Sequence, residues 1–326
     1  MRRFLLACFI VPSALSLSAL AQTANPSPLS VLALAHPNVA QIGFSADGQY
    51  LLSASAQADA DGDLDYSLQA WELTSGANVV TLAQESQTLA TFALHPSAPL
   101  LLTGSLQGQV TLWGLGQWLI LNTVQAHDDL PRLKYSADGA RFISYDAQGL
   151  LLWSAADFSP QAFIAAPADL PDPTITQAAL SDDGARLAVV YGPADVLVYD
   201  VVSGAIMSRF NAQSEVEPHG VFFSQGGTNL AMLYPFLQLR ETTSGMIVGQ
   251  FSAGSEIVRA SVSRDWTRLA TVELEGRVLL WDIATQSAQR VLLESAELVW
   301  DVAFSPDGRT LAIARGAGLV ELYAVE

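Results

Sequence analysis

One unit recurs seven times along this chain, and that repetition restricts the fold more than any other property of the sequence. Each copy places a hydrophobic residue before a turn such as SADG, SDDG or SPDG, and the seven hydrophobic residues are Phe44, Leu94, Tyr135, Leu180, Phe223, Val262 and Phe304. Repeats of ~20–50 residues are supersecondary units that cannot bury their apolar faces alone and must stack on their neighbours. Each of these residues ends a run of alternating apolar positions and precedes another, as in VAFSPDGRTLAIA over 302–314. Alternation with a period of two predicts strands, and turn residues such as Asp-Gly between the runs tolerate the positive φ of a tight hairpin.

A third alternating run follows each hairpin and ends in Trp71, Trp113, Trp153, Tyr199, Trp281 or Tyr323, with Arg240 standing in for the aromatic in the fifth copy. The interval from hydrophobic landmark to aromatic is 19 positions in four copies, beginning at Leu94, Leu180, Val262 and Phe304. Fourth runs come next: VVTL (79–82), WLILNTV (118–124), AFIAA (162–166), AIMSRF (205–210), MIVGQF (246–251) and QRVLLE (289–294). The last copy lacks a fourth run, whereas SVLALA at 30–35 precedes the first hairpin without a sheet of its own. Pairing that N-terminal run with the last copy covers two strand edges that would otherwise invite association. The expectation is an all-β, seven-bladed β-propeller over residues 29–326, one domain closed by pairing of its N-terminal strand with the last blade.

The stretches VAFSPDG (302–308) and VLLWDIAT (278–285), the latter carrying the Trp281-Asp282 pair, resemble the WD-repeat family, and the resemblance spans nearly the whole chain. It looks like a degenerate, bacterial-type exported member. Trp281-Asp282 is the one Trp-Asp pair that ends a third run, the acid six positions before the aromatic is matched only by Asp65 and Glu275, and the usual Gly-His is reduced to His36 and His127. Most copies therefore depart from the family's internal hydrogen-bond network. What the resemblance implies is a rigid ring used as an interaction platform.

Residues 1–21 read as a cleaved export signal, with Arg2 and Arg3 at the start, an apolar stretch from Phe4 to Leu20, and Ala19-Leu20-Ala21 as the cleavage site. Residues 22–28 read as a flexible lead-in, and the mature protein is expected in the periplasm or outside the cell. Cys8, the only cysteine, leaves with the signal, so no disulfide or thiol ligand is expected. Against 32 acidic residues the chain has 15 basic ones, of which Lys134 is the only lysine. Such a surface repels phosphate backbones and anionic headgroups, which argues against nucleic acid as a partner. No later run is apolar enough to span a membrane, and a monomer is expected.

No arrangement of residues points to catalysis or a cofactor, and no resident metal belongs to the leading expectation. G-x-S-x-G, H-E-x-x-H, paired cysteines and a phosphate-binding glycine loop are all absent. His95 falls in a hairpin turn while His36, His127 and His219 precede first strands, so the histidines do not converge. The insertion over 54–67 is expected to form a loop, in which Asp59, Asp61, Asp63 and Asp65 alternate around Gly62 as a hard cation would require. Three positions before each landmark lie Gln41, Thr91, Arg132, Gln177, Gly220, Arg259 and Asp301. Equivalent positions in a ring form a ring, and Gln41, Arg132, Gln177, Arg259, Asp301 and neighbouring Trp300 are the expected contacts for a protein or peptide on one face. The leading expectation is a non-catalytic interaction scaffold. The alternatives are a propeller enzyme resembling secreted lactonases or quinoproteins, and a calcium-stabilised binding module centred on residues 59–65.

Overall fold

The computed structural model describes residues 26–34, 37–58, 64–82, 88–295 and 297–325. Their strands form seven four-stranded antiparallel sheets, and successive innermost strands lie next to one another in a ring. These inner strands are Asn38–Phe44, Leu89–Leu94, Arg132–Tyr135, Ile175–Leu180, Gly220–Phe223, Ile257–Val262 and Val299–Phe304, and the blades are numbered 1 to 7 in that order. Each landmark residue ends one of them. The expected seven-bladed propeller is therefore the observed architecture.

The core is distributed over the seams between blades. Ile143, Tyr145 and Leu152 of blade 3 pack with Ile175, Val189 and Leu197 of blade 4, and comparable clusters fill the other seams. The seam between blades 7 and 1 has its own cluster, in which Leu32, Ala312 and Val320 meet Val39, Leu51 and Trp71. A strand with apolar residues on both faces can bury them only between two neighbouring sheets, and closing the circle supplies two neighbours to every blade.

Closure takes place in blade 7, whose strands Val299–Phe304, Thr310–Arg315 and Leu319–Ala324 are completed by Ser30–Ala33 as the outermost strand. That pairing is antiparallel, from Ser30 opposite Leu322 to Ala33 opposite Leu319. The Leu29 and Leu34 amides extend the ladder by donating to the carbonyls of Leu322 and Gly318 at 2.6 and 2.7 Å.

Five of the seven inner hairpin turns share one hydrogen-bonded pattern. In blade 3 the Ser136 hydroxyl donates to Asp138 at 2.6 Å and accepts from the Arg141 amide, while Asp138 accepts from the Ala140 amide. Ser45/Asp47, Ser181/Asp183, Ser263/Asp265 and Ser305/Asp307 repeat it. Gly139 follows at φ 75°, and a Cβ there would collide with the His95 ring of the preceding blade.

The 54–67 insertion differs from expectation. Tyr50–Ala58 and Leu64–Glu72 are long strands paired out to Ala58 opposite Leu64, so most of the insertion extends a hairpin and only 59–63 lie beyond it. Strand pairing satisfies the backbone groups of 54–58 and 64–67, which an exposed loop would leave to water. Asp59, Asp61, Asp63 and His36 lie outside the described residues, as do the export signal and most of the 22–28 lead-in.

Candidate functional site

The inner strands carry two tiers of side chains with different tasks. The tier three positions before each landmark is mostly engaged with the next blade. Gln41 holds the Phe92 backbone through both amide atoms, its Nε2 donating to the carbonyl at 2.9 Å and its Oε1 accepting from the amide at 3.3 Å. Thr91 Oγ1 donates to the Pro131 carbonyl at 2.8 Å, Arg132 Nη1 to the Thr176 carbonyl at 2.6 Å, and Gln177 Nε2 to the Pro218 carbonyl at 3.2 Å. Asp301 accepts from the Ile42 amide at 2.9 Å across the closing seam. Arg259 donates to the carbonyl of Val258 in its own strand and lies close enough to Asp301 to favour its carboxylate.

In five blades a β-bulge immediately precedes this tier and re-aims its side chains, whereas Arg132 reaches the next blade without one. The strand register shifts at Ala40, Ala90, Thr176, Val258 and Trp300, each the residue preceding a tier member. A bulge leaves one residue unpaired and re-aims the next side chain. Trp300 packs half-buried in the seam between blades 7 and 1, and its buried indole N–H has no hydrogen-bond partner. Gln177 is buried, Arg132 is exposed, and Gln41, Arg259 and Asp301 are half-buried. The six residues expected to contact a partner thus lie in one tier or, for Trp300, at the bulge beside it, but do not gather into one patch. Burial raises the Asp301 carboxyl to about 6, opposed by the amides of Ile42 and Val302 and by Arg259.

The cavity lies nearer the landmark ends of the inner strands, on the face carrying the hairpin turns. It measures about 800 Å³. Its walls include Phe92, Leu133, Lys134, Tyr135, Val221 and Phe222, and its rim includes Pro96, Asp138, Asp182, Asp183, Arg264 and Trp266. Of the six expected contacts only Gln41 lines it. One position before the landmarks stand Gly43, Ala93, Lys134, Ala179, Phe222, Ser261 and Ala303. Five of these are small, which leaves room at that level for the two long side chains.

Those two meet across blade 4. Lys134 Nζ donates to the Val221 carbonyl at 3.3 Å and sits 5.6 Å above the centre of the Phe222 ring. Burial lowers the ammonium to about 8, and the neighbouring charge of Arg132 acts in the same direction. The sequence signal was present, a unique lysine on an inner strand, but its position relative to Phe222 depends on two blades that are not adjacent.

The rim holds a second feature that sequence reasoning missed. In blades 1, 3, 4, 5 and 7 the fourth residue after the landmark is a glycine at φ 61° to 75°, namely Gly48, Gly139, Gly184, Gly227 and Gly308. Blade 6 has Trp266 there, at φ 56°, with the same turn hydrogen bond from its amide to the Ser263 carbonyl at 2.9 Å. A bulky side chain in the left-handed region costs ~1–2 kcal/mol. Two residues earlier, Arg264 reaches across the mouth and donates from Nη1 to the Pro96 carbonyl of blade 2 at 3.0 Å. At the rim, burial raises the Asp182 carboxyl, and Asp183 and Asp138 add to the effect.

The described histidines serve structure. His127 Nε2 lies 2.8 Å from Ser144 Oγ, which also accepts from the Trp153 indole at 2.9 Å, and His127 Nδ1 is 3.5 Å from Asp146. Burial lowers the His127 pKa despite that carboxylate. His95 joins the turns of blades 2 and 3 through Gly139, and His219 lies at the surface 3.6 Å from Glu256. Among the described residues no group of three His, Cys, Asp or Glu side chains is arranged to hold a metal ion, and no helix is long and apolar enough to cross a membrane. The chain matches no protein-family model, and no curated protein matches it.

Proposed function

We propose that this propeller is a non-catalytic interaction scaffold that seats a protein or peptide partner on its hairpin-turn face. The observation that carries this reading is the cavity of about 800 Å³ at the centre of that face, walled largely by apolar side chains and holding a single amine. Concave, mostly apolar sites with a few placed polar groups are where ligands and anchoring side chains bind. Trp266 and Arg264 at the rim are of residue types enriched among those that carry most interface energy. A strained turn retained at that rim supports the same assignment, since strain persists where function uses it. Of the inner-tier residues we keep Gln41 and the exposed Arg132 as contacts, and assign Gln177, Arg259, Trp300 and Asp301 to holding blades together.

We also assign the chain to the WD-repeat type, as an exported protein of the cell envelope or extracellular space. The Trp153–Ser144–His127–Asp146 chain of contacts supports the WD-repeat assignment, as do the indole-to-hydroxyl bonds of Trp71 to Ser53, Trp113 to Thr103 and Trp281 to Thr271, while export is proposed from residues 1–21 alone. The functional reading is tested with a photocrosslinking residue placed either at Ala137, on the turn face, or at Asp128, on the opposite one, in cells of the source organism. Adducts are expected from position 137 and should be lost in Trp266→Ala. Adducts from position 128 alone, or from neither, would refute it.

A further inference from the structure

Lys134 presents an unfinished electrostatic arrangement. Its ammonium lies inside the ring, and among the described residues no carboxylate pairs with it. The Val221 carbonyl and the face of Phe222 account for two directions around Nζ. A lysine has three N–H donors, so one remains available to the cavity. Arg132, two positions earlier on the same face of the strand, adds a second positive charge that Lys134 feels. An amine titrating near 8 still carries its charge at neutral pH. Buried charges are normally paired, and here the natural counter-charge is an anion supplied from outside. The cavity around it is walled mostly by apolar side chains, with Gln41 and Ser261 among the polar ones, and five of the seven residues at that level are small.

We propose that the central cavity binds an apolar monocarboxylate, the carboxylate on Lys134 Nζ and the apolar body against the wall that includes Phe222. The group is either a free organic acid or the terminal carboxylate of a peptide with an apolar last residue. Asp138 and Asp183 at the rim are already held by turn hydrogen bonds, and with Asp182 they disfavour a second negative charge on the ligand. The site therefore selects one carboxylate over two. The inference rests on reading this cavity as the binding site, but its test is separate from the crosslinking experiment.

The probes are 4-phenylbutyrate, its neutral amide, a dicarboxylate of similar length, and a short peptide ending in Phe with a free or an amidated terminus. Binding to the full chain is measured by calorimetry and by NMR of the protein after reductive ¹³C-methylation, in which Lys134 provides the one lysine signal. 4-Phenylbutyrate or the free-terminus peptide should bind at least tenfold more tightly than its neutral counterpart and than the dicarboxylate, and should shift the Lys134 signal. Whichever of the two binds identifies the source. Lys134→Met should weaken binding at least tenfold and Lys134→Arg should restore most of it, with unchanged thermal unfolding showing that the variants fold. If neither acid binds, or if Lys134→Met binds as well as the parent, the proposal is wrong even where crosslinking at position 137 succeeds. Carboxylate binding without crosslinking would instead remove the scaffold reading and leave this one standing.

Discussion

Two residues show how position in the ring outweighs residue type. Trp266 occupies a turn site that five other blades give to glycine, but its half-buried ring packs on the cluster between blades 5 and 6. The ~1–2 kcal/mol of strain relieved by Trp266→Gly should be outweighed by lost packing, and the variant should be less stable in chemical denaturation. The same change should abolish crosslinking from position 137, because the rim loses its aromatic group; crosslinking that survives in the folded variant would mean that Trp266 is not a contact. Asp301 is a carboxylate drawn into the closing seam, its carboxyl raised to about 6 by burial. A raised acid pKa means the folded state holds the proton over a window where the unfolded chain has released it. The stabilisation is complete below the unfolded value and is lost as pH rises through the folded one. Thermal melts should therefore show the parent losing about 2 kcal/mol relative to Asp301→Asn between roughly pH 4 and pH 6, with a flat difference above that.

At the scale of the strand and the hairpin, one pattern is executed with different chemistry from blade to blade. Ser144 in blade 3 accepts from Trp153 and meets His127, and its removal leaves two buried polar groups without partners. Ser144→Ala should cost about 1–3 kcal/mol, read from urea unfolding; a cost below half of that would show that the network adds little to the blade. Blade 4 uses facing hydroxyls, Tyr191 and Tyr199 at 3.2 Å, and blade 7 pairs Tyr323 with Glu321 at 2.7 Å. In blade 5 the Arg240 guanidinium bonds Gln238 and the carbonyls of Gly245 and Ala212. The strand pattern survives because each third-strand residue is buried at the same register, beside a bulge against the outer strand in blades 1 to 6.

Over the whole molecule, stability depends on the seams and above all on the one that joins the two ends of the chain. Leu32, 2 % exposed, packs there between blades 7 and 1. Leu32→Ala should cost about 2–5 kcal/mol by creating a cavity. Hydrogen exchange should then show protection falling first in 30–33 and 319–324, since the outer strand is joined to its sheet along one edge only. Faster exchange elsewhere, with these segments unchanged, would mean closure is not the weak point. The turn ends are clasped similarly around the ring: Arg141, Arg186 and Arg268 each donate to the carbonyl of the next blade's turn glycine, at Gly184, Gly227 and Gly308.

The all-β class, the number of blades, the strand boundaries near each landmark and the circular closure were legible in the amino-acid order. They follow from local alternation and turn chemistry repeated at a steady interval, and neither requires knowledge of a distant residue. The inner tier was legible as a ring, but its side chains were expected at a partner-facing mouth, and bulges at Ala40, Ala90, Thr176, Val258 and Trp300 direct most of the tier to neighbouring blades. Nothing in local sequence announces that turn. The cavity, Lys134 over Phe222 and Arg264 reaching Pro96 came only with the tertiary structure. Each joins segments from non-adjacent blades, and the distance between such segments is set by how seven sheets pack around an axis.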